Sequence, residues 1–572
     1  MNPTVLILGA GINGVAIARE LLLNGVSVWI VEQTDICYGA TAYSSRLVHG
    51  GLRYLEFGEF DLVRESLAER TRLLQLAPQF VRPLQLFIPV RNRASGWLSS
   101  VARFLRMPLA SHAPERGLWL VRAGLWFYDR YARDKTLSHH RVLSVGKHGS
   151  PPVNADDYRW LCAYYDAQIT FPERFVQAML HDCQQLAVEQ GLEFRVFTRH
   201  TARLAGRIAK ISAVEQPSDN DGESIASTPE HVLPPATVIN ATGAWVDDTL
   251  EKLPIAAERL MGGTKGSHLF TFHGPLKTAL SAGGIYTEAS DGRPVFLLPL
   301  AGGVLIGTTD LPFTGNPADA VANEIEITYL LACVKQVFPQ IDLKTEHIAW
   351  HYSGVRPLPF VDAQSTAAIT RRHGLKEHPE APLPVFSVIG GKLTTCRSLA
   401  EETASAVLKK LELPVLCNSQ NRTIPGSSNC PHNDASQTEA IRIFAKQYEV
   451  TFEQGRGLWN LWGSLAPEVA RYCTGTSSVS LSGTHLPRGA ARYCIEHEWA
   501  TTLDDLVERR LMLLYVPGLS RETLYDLADE LVSAGLLTND RRKQAIESTC
   551  NRLALHFGLS LGKGSALNAS GE

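Results

Sequence analysis

The sequence predicts an α/β fold that continues into an all-helical C-terminal part, and three observations support this prediction. First, the apolar run 4–8 leads into a glycine-rich turn, a helix and a second apolar run that ends at Glu32. Second, short apolar runs separated by Gly and Pro turns recur over 269–352, which is typical of a mixed sheet. Third, residues 435–560 show helical periodicity with few strand signals. A chain of 572 residues is also long enough for two or three cores.

The glycine-rich turn carries the N-terminal prediction. Gly9 permits a tight turn, Gly11 lets the backbone approach a pyrophosphate, and Gly14 lets the helix pack on the strand. The helix N-terminus directs unpaired N–H groups at phosphates, and Glu32 can accept hydrogen bonds from a ribose. We therefore expect a Rossmann-type dinucleotide-binding domain here, with an ordinary glycine-rich βα turn as the alternative.

The remaining composition shifts predict where the chain divides. Polar residues rich in Pro, Ser and Asn over 413–434 indicate a linker. The predicted domains are a discontinuous dinucleotide-binding domain (1–90, 150–265 and 352–412), a basic aromatic segment (91–149) with a mixed-sheet substrate domain (266–351), and a C-terminal helical cap (435–572).

Composition excludes several functional classes. The net charge of −3 and the pI near 6.7 argue against a general nucleic-acid binder. The ten cysteines form no CxxC pair, so we expect no cysteine-ligated metal site, and they suggest no disulfide framework. The first strand begins at about residue 4 and no run of 18 apolar residues occurs, so we expect neither a signal peptide nor a membrane span.

Residues 91–135 differ in character from the rest of the chain. They hold nine Arg or Lys residues against three acidic ones, although the whole chain is negative. This mixture suits a helix that lies in the interface of an anionic membrane. Core-packed helices with solvated arginines are the alternative. The interleaved apolar residues are Trp97, Phe104, Met107, Trp119, Leu120, Trp126 and Phe127.

The segment 41–56, TAYSSRLVHGGLRYLE, resembles the signature of FAD-dependent glycerol-3-phosphate dehydrogenases. These are respiratory flavoenzymes with a Rossmann-type FAD-binding domain of the glutathione-reductase and D-amino-acid-oxidase type. Further motifs match the family in the same order over nearly the whole chain. They are NATGAW (240–245), KGSH (265–268), IGTTD (306–310), SGVRPL (353–358), AITR (368–371), GGKLTT (390–395) and LDDLVERR (503–510).

The resemblance implies a non-covalent FAD and the residues that would hold it. The pyrophosphate would lie at the first glycine turn and the adenosine ribose at Glu32. A second glycine turn would lie beside the flavin, where N–H groups at a helix start suit a negatively charged reduced ring. The implied cofactor residues are Gly9, Gly11, Ile12, Asn13, Gly14, Glu32, Thr41, Ser44, Ser45, Leu47, Gly50, Gly51, Ala241, Thr242, Gly243, Gly391, Leu393 and Thr394.

Four cations beside glycines or prolines predict an anionic substrate. A phosphate monoester needs several donors, and guanidinium groups suit its oxygens. The resemblance implies that Arg53, Tyr54 and Arg371 bind the phosphate of sn-glycerol 3-phosphate. It implies that Arg356 and Lys392 face the C2 hydroxyl near the flavin. For any one of these cations, a surface salt bridge is the alternative.

The implied reaction is hydride transfer from C2 to flavin N5, which yields dihydroxyacetone phosphate. Positive charge from Arg356 and Lys392 would stabilise alkoxide character. A general base is also needed within hydrogen-bond reach. His268 and His49 are the candidates because imidazole titrates nearest neutral pH; Lys392 is a third. A structural hydrogen bond is the alternative for either histidine.

The resemblance also implies a membrane quinone as the electron acceptor. The protein would then be cytoplasmic and peripheral on the inner face of the cytoplasmic membrane, bound to anionic lipid, with a homodimer left open. Three alternatives remain: an oxidase that uses O₂, a related FAD-dependent amine or hydroxy-acid oxidoreductase, and a membrane-bound FAD redox sensor that does not turn over.

Three features depart from the family pattern. Phe171 and Pro172 stand where acids are expected, Cys396 stands where a Tyr is common, and 216–235 has no counterpart. The first two bear on how the substrate domain is positioned and on substrate choice.

Overall fold

A parallel sheet lies at the centre of the N-terminal domain in the computed structural model. The model describes residues 3–93, 117–132, 137–214, 231–253, 255, 257–361, 372–431 and 433–562. Its strands pair in parallel except at one edge, and its strand Thr4–Leu8 is almost fully buried because other elements cover both faces. In spatial order they are β18 (Gly374–Glu377), β19 (Val385–Ile389), β11 (Thr237–Asn240), β1 (Thr4–Leu8), β2 (Ser27–Glu32) and β7 (Phe194–Thr198).

Helices cover one face of this sheet and a small sheet covers the other. Three helices share one apolar core with Val5 and Ile7: α1 (Ile12–Leu23), α4 (Pro172–Gln190) and α8 (Cys396–Lys410). The opposite face packs against α5 (Val246–Lys252) and a three-stranded sheet of β8 (His200–Ala205), β9 (Ile208–Ala213) and β10 (His231–Leu233).

The second sheet is mixed and has ten strands, of which eight follow one spatial path and two pair beside it. The path is β16 (Leu311–Pro312), β12 (Thr264–Thr271), β15 (Gly303–Gly307), β14 (Pro294–Leu300), β13 (Gly284–Glu288), β4 (Val81–Val90), β6 (Trp160–Ile169) and β3 (Leu47–Val48), with β17 (Trp350–Arg356) on β12 and β5 (Arg141–Ser144) on β6. Its pairs are antiparallel except β4 with β13. The expected mixed sheet is thus present.

The two faces of the second sheet have different neighbours. One face packs against α6 (Gly274–Ala279) and α7 (Glu324–Val337). The other face packs against α2 (Phe60–Leu76), α3 (Leu118–Ala132) and the C-terminal domain. In α2, period-3.6 residues such as Val63 and Leu67 enter this core, as the sequence predicts for that helix.

The C-terminal domain is helical, as predicted from its periodicity. Its apolar core is continuous with the second sheet, and a π-helical turn at Asp505–Arg510 points charged side chains inward. The helices are α9 (Asp434–Gln447), α10 (Phe452–Trp462), α11 (Ala466–Ala470), α12 (Arg488–His497), α13 (Arg521–Ser533) and α14 (Arg542–Phe557).

The basic aromatic segment is described only in part, since 94–116 and 133–136 lie outside the described residues. In the part that is described, α3 buries Leu118, Val121, Leu125 and Tyr128 against the sheet. Among the helices of the described residues, none combines the length and apolar character needed to cross a bilayer.

The predicted linker packs along the surface of the N-terminal domain. The Asn24 side chain accepts a hydrogen bond from Leu416 N, and Arg422 forms an ion pair with Asp182. The predicted division of the chain into domains stays a prediction.

Candidate functional site

A cleft of about 510 Å³ runs along the carboxyl ends of the parallel strands. Its wall includes Leu8 at the end of β1 and Gly9 after it, Glu32 at the end of β2, Ala241 after β11 and Gly390 after β19. Carboxyl ends of parallel strands meet at one edge of a sheet, which is where open α/β sheets bind ligands. The second sheet supplies the opposite wall through β12 and β17.

The first glycine turn is built for close approach. Gly9 has a φ of +101°, and a Cβ there would lie 2.7 Å from the carbonyl oxygen of Ala241. Ile12 N donates to Thr41 Oγ1 at 3.1 Å, which fixes the start of α1 against the next loop. A Cβ on Gly14 would overlap the carbonyl of Gly9, so Gly14 lets the helix pack on the turn and lies outside the cleft lining.

Glu32 presents a carboxyl group at one end of the cleft. Its two oxygens accept hydrogen bonds from Ala10 N at 2.9 Å and Thr34 N at 2.8 Å. Burial raises its pKa to about 7, although both backbone donors act against the rise. A carboxylate offers about four lone-pair sites, so two remain for ligand hydroxyls. His200 and Thr201 of β8 line the same end, and no sequence motif indicated them.

The residues between the two glycine turns fit an elongated dinucleotide. Asn13 Oδ1 is buried and has no hydrogen-bond partner among the described residues. Gly391, with a φ of +98°, approaches the same amide so closely that a Cβ there would lie 2.6 Å from Asn13 Nδ2. A ligand hydroxyl would satisfy this buried acceptor. The cradle and the unsatisfied acceptor therefore fit FAD, whose ribityl chain and ribose carry hydroxyls.

The second glycine turn forms another part of the cleft wall. Lys392, Leu393 and Thr394 line the cleft ahead of α8. Thr394 Oγ1 accepts from His49 N at 3.1 Å, so this turn is joined to the predicted signature segment. Lys392 Nζ lies 4.0 Å from the centre of the Tyr54 ring, which is a close cation–π contact.

His268 is buried beside these groups. Its Nε2 lies 2.8 Å from Ser45 Oγ, and its ring stacks on Tyr352 with centroids 4.9 Å apart. Its Nδ1 is buried without a partner among the described residues. Burial first, and then the positive charges of Arg356 and Arg46, hold the pKa of His268 well below its usual value. The imidazole is therefore neutral near pH 7.

Arg356 ends β17 and is held by a second segment. Its Nη1 donates to Asp310 Oδ1 at 2.9 Å, and its Nη2 donates to Thr308 Oγ1 at 2.9 Å and to the Thr309 carbonyl at 3.1 Å. A Cβ on Gly266 would overlap this guanidinium, so the glycine of the KGSH motif leaves room for Arg356 in its present position. The guanidinium is thus fixed while it lines the cleft.

The structure brings most predicted residues to this one cleft. Gly50 lies elsewhere, where its N donates to Tyr128 OH and Asp166 Oδ1; Gly51 precedes the 3₁₀ helix Leu52–Phe57, which contains Arg53. Arg371 lies outside the described residues. The predicted residues that line the cleft are Gly9, Gly11, Ile12, Asn13, Glu32, Thr41, Ser44, Ser45, Leu47, His49, Tyr54, Ala241, Thr242, Gly243, His268, Arg356, Gly391, Lys392, Leu393 and Thr394.

Some residues of the site lie in or beside the motifs but were not among the predicted site residues. Arg372 lines the cleft next to the predicted Arg371. Thr308 and Asp310 belong to the IGTTD motif, to which no role was given. Arg46 stands inside the signature segment, and the structure shows it buried in a bidentate ion pair with Glu173 at 2.7 and 3.0 Å.

Two of the positions that depart from the family pattern, Phe171 and Cys396, lie behind the cleft, whereas most of 216–235 lies outside the described residues. Phe171 packs on Tyr515, with ring centroids 5.2 Å apart. Cys396 is buried at the start of α8. Neither residue is part of the cleft lining.

Comparison with known families agrees with this geometry. Residues 4–381 match the family of FAD-dependent oxidoreductases. Residues 417–542 match the C-terminal domain of alpha-glycerophosphate oxidase. The two matches cover the two sheets apart from β19, and most of the helical domain, and the predicted fold class is confirmed.

Individual proteins extend the comparison. Glycerol-3-phosphate dehydrogenase from Synechocystis sp. is 31% identical, over 97% of this chain and 93% of that protein. Aerobic glycerol-3-phosphate dehydrogenase from Escherichia coli is 30% identical, over 88% of this chain and 93% of that protein. D-erythritol 1-phosphate dehydrogenase from Brucella abortus is 29% identical, with the same two coverages of 88% and 93%.

A solved structure shares the fold of the whole chain. Glycerol-3-phosphate dehydrogenase from Bacillus halodurans, complexed with FAD, superposes with a TM-score of 0.70. The match covers 97% of this chain and 95% of that chain at 19% identity. The resemblance drawn from the motifs is confirmed, and the chain is a flavoenzyme that belongs to the FAD-dependent glycerol-3-phosphate dehydrogenase family.

Proposed function

We propose that the protein oxidises sn-glycerol 3-phosphate to dihydroxyacetone phosphate. The observation that carries this proposal is that Arg356, Lys392 and His268 all line the cleft that fits FAD. Two cations and a neutral imidazole are the groups that oxidation of an alcohol in an anionic substrate requires. The bound flavin supplies the hydride acceptor.

Arg356 and Lys392 stabilise negative charge on the C2 oxygen as its proton leaves. Arg356 is suited to this role because Asp310 and Thr308 already fix its guanidinium, so little reorganisation is needed during the reaction. Lys392 is steered by the face of the Tyr54 ring. Arg53 and Arg371, with Tyr54, are proposed to bind the phosphate.

His268 is proposed as the group that accepts the C2 proton. It is neutral near pH 7, so it is already in the accepting form. A bound phosphate dianion would offset the positive charges that hold its pKa down and so raise its basicity. His49 is the alternative, since it lines the same cleft.

A quinone in the membrane is proposed as the electron acceptor, and α3 supports this part. One face of α3 is buried, and the other exposes Trp119 and Trp126, each 56% accessible, with Phe127 and Tyr131 beside them. Arg122 lies over the Trp119 ring at 5.5 Å. Aromatic and basic side chains on one exposed helix face suit the interface of an anionic membrane. The protein would then lie on the inner face of the cytoplasmic membrane.

A second candidate substrate comes from the relative named D-erythritol 1-phosphate dehydrogenase. It is 29% identical to this chain, close to the 30% and 31% of the glycerol-3-phosphate dehydrogenases. A longer polyol phosphate presents the same phosphate and the same secondary alcohol to the cations.

Anaerobic titration of the purified holoenzyme tests the proposal. We expect sn-glycerol 3-phosphate to bleach the oxidised flavin, and D-amino acids and 2-hydroxy acids to leave it unchanged. Bleaching by D-erythritol 1-phosphate alone would transfer the proposal to that substrate, and bleaching by neither phosphate would refute it.

Reoxidation by a short-chain quinone that is faster than by O₂ would support the dehydrogenase over the oxidase. The pH dependence of the rate of flavin reduction, measured in His268→Gln and in His49→Gln, would identify the base.

A further inference from the structure

A buried carboxylate lies directly behind the cleft wall that carries Arg356 and His268. Glu326 is only 2% exposed and stands in the first turn of α7. Its Oε1 accepts from Ser267 Oγ at 2.7 Å and Thr309 Oγ1 at 2.8 Å. Its Oε2 is 2.7 Å from Lys265 Nζ and accepts from Asn323 N at 3.2 Å. Four donors therefore hold this carboxylate.

Strand β12 connects the carboxylate to the cleft because its side chains alternate between two faces. Gly266 and His268 face the cleft. Lys265 and Ser267, on the other face, contact Glu326. The KGSH motif thus serves the cleft with two of its residues and the buried carboxylate with the other two.

A second link runs through the IGTTD motif to the guanidinium. Thr309 donates its hydroxyl to Glu326, and its carbonyl accepts from Arg356 Nη2 at 3.1 Å. A third link is the 2.7 Å contact of Ser267 Oγ with Ser353 Oγ on β17, the strand that ends at Arg356. Three segments that surround Arg356 are therefore joined at one carboxylate.

We propose that Glu326 is a positioning residue for the reaction: with Lys265, Ser267, Thr309 and Ser353 (the Glu326 cluster) it fixes the segment that holds Arg356 over the substrate. No member of the cluster lines the cleft, so it acts through Arg356 and His268.

The ionisation of Glu326 agrees with this role. Burial acts to raise its pKa, but hydrogen bonds from Lys265, Ser267 and Thr309 outweigh burial and hold the pKa below its usual value. Glu326 thus stays ionised near pH 7, and its hydrogen bonds to Ser267 and Thr309 are charge-assisted and correspondingly strong.

The decisive variant is Thr309→Val, because it removes the link to the loop and leaves the pair of Glu326 and Lys265 intact. We expect the limiting rate of anaerobic flavin reduction to fall about 10- to 100-fold, since a misplacement of about 1 Å can cost 10²-fold. FAD content should stay near that of the wild type, and the thermal midpoint should fall by only a few degrees, because Ser267 N loses its acceptor. Thr309→Ser keeps the hydroxyl and should restore the rate.

Glu326→Gln should also lower the rate of flavin reduction. Its control is Glu324→Gln, an exposed change in the same helical turn.

Two results would overturn this role. One is a wild-type reduction rate in Thr309→Val with FAD bound. The other is a rate loss in Thr309→Val that is matched by equal loss of FAD or of thermal midpoint, which would make the cluster merely structural. The inference rests on the proposed function, but the failures differ: a wild-type protein that neither polyol phosphate reduces refutes the function itself. If D-erythritol 1-phosphate alone reduces the wild type, the same variants are compared with that substrate.

Discussion

Arginines at the cleft and arginines between the domains have the same side chain and opposite surroundings. Arg356 is 24% exposed and its partner Asp310 is 20% exposed, so the guanidinium is fixed but borders the cleft. Arg510, from the π-helical turn, is fully buried, and so is its partner Asp35, which follows β2. Asp35 accepts from Arg510 at 2.7 and 3.0 Å and from Arg509 at 2.6 Å.

The difference separates a chemical role from an architectural one. Between the domains, Arg510 also donates its Nε–H to the Glu498 carbonyl, and burial leaves no route to a ligand. At the cleft, Arg356 borders the space that a substrate would occupy. Residue type alone therefore does not identify a substrate cation, whereas burial together with the number of charged partners does.

The largest expected effect tests the architectural side. Asp35→Asn leaves Arg510 buried without its carboxylate partner, although Arg509 keeps Glu508 and Asp505, and breaking a buried pair costs about 3–5 kcal/mol. We expect a loss of this order in the free energy of unfolding, measured by urea denaturation of the holoenzyme. The control is Asp61→Asn, which breaks an exposed pair with Arg372 and should change stability by less than about 1 kcal/mol. Equal stabilities of the two variants would remove the contrast between the regions.

The next effect tests the chemical side. Arg356→Ala should retain FAD and fold but reduce the rate of flavin reduction by about 10²–10³-fold, the usual cost of one preorganised donor. Arg356→Lys should recover only part of the rate, because lysine lacks the planar fork that Asp310 and Thr308 hold. Rapid-mixing absorbance measurements check this, and wild-type bleaching in Arg356→Ala would withdraw the assignment.

The exposed face of α3 extends the comparison, because there Arg122 lies over the Trp119 ring at the protein surface. The double variant Trp119→Ser and Trp126→Ser should weaken binding to vesicles of anionic lipid by about tenfold, because both indoles would leave the interface. Dye-linked activity should not change. Ile443→Ser is the control, since Ile443 is 59% exposed on the C-terminal domain. Equal vesicle binding of all three proteins would discard the membrane interface.

The smallest effect concerns Glu32. Its unfolded pKa is near 4.5 and its folded pKa is about 7, so the folded state holds the proton more tightly between these values. The stability that this group contributes is present below about pH 4.5 and is lost as pH rises through 7. We expect the apoprotein of Glu32→Gln to show a smaller fall in thermal midpoint over this range, by a few degrees. An identical fall in both proteins would contradict the raised pKa.

Local sequence alone was enough for much of this molecule. The order of strand, glycine turn and helix at 4–23, and the helical periodicity of 435–560, depend on neighbours within a few residues, so their pattern is visible along the chain. The motifs and their order along the chain were sufficient to identify the family, and they contain most of the residues that line the cleft.

Other features depend on residues far apart in the chain, and no local pattern reports them. Gly50 belongs to the signature segment but meets Tyr128 and Asp166, 78 and 116 residues away. Arg46 and Glu173 are 127 residues apart, and Arg510 is 475 residues from Asp35. Sequence showed which cations the chain has, but not which of them a distant carboxylate would bury.

The sequence by itself determined the nucleotide-binding unit, the helical C-terminal part and the motifs that contribute to the cleft, because each is encoded in short-range pattern and in motif chemistry. Only the tertiary structure decided which arginine faces the cleft, which glycine lies outside it and that Glu326 stands behind Arg356. The physical reason is that burial and ion pairing are set by the packing of the two sheets and the helical domain, which brings together side chains from distant parts of the chain.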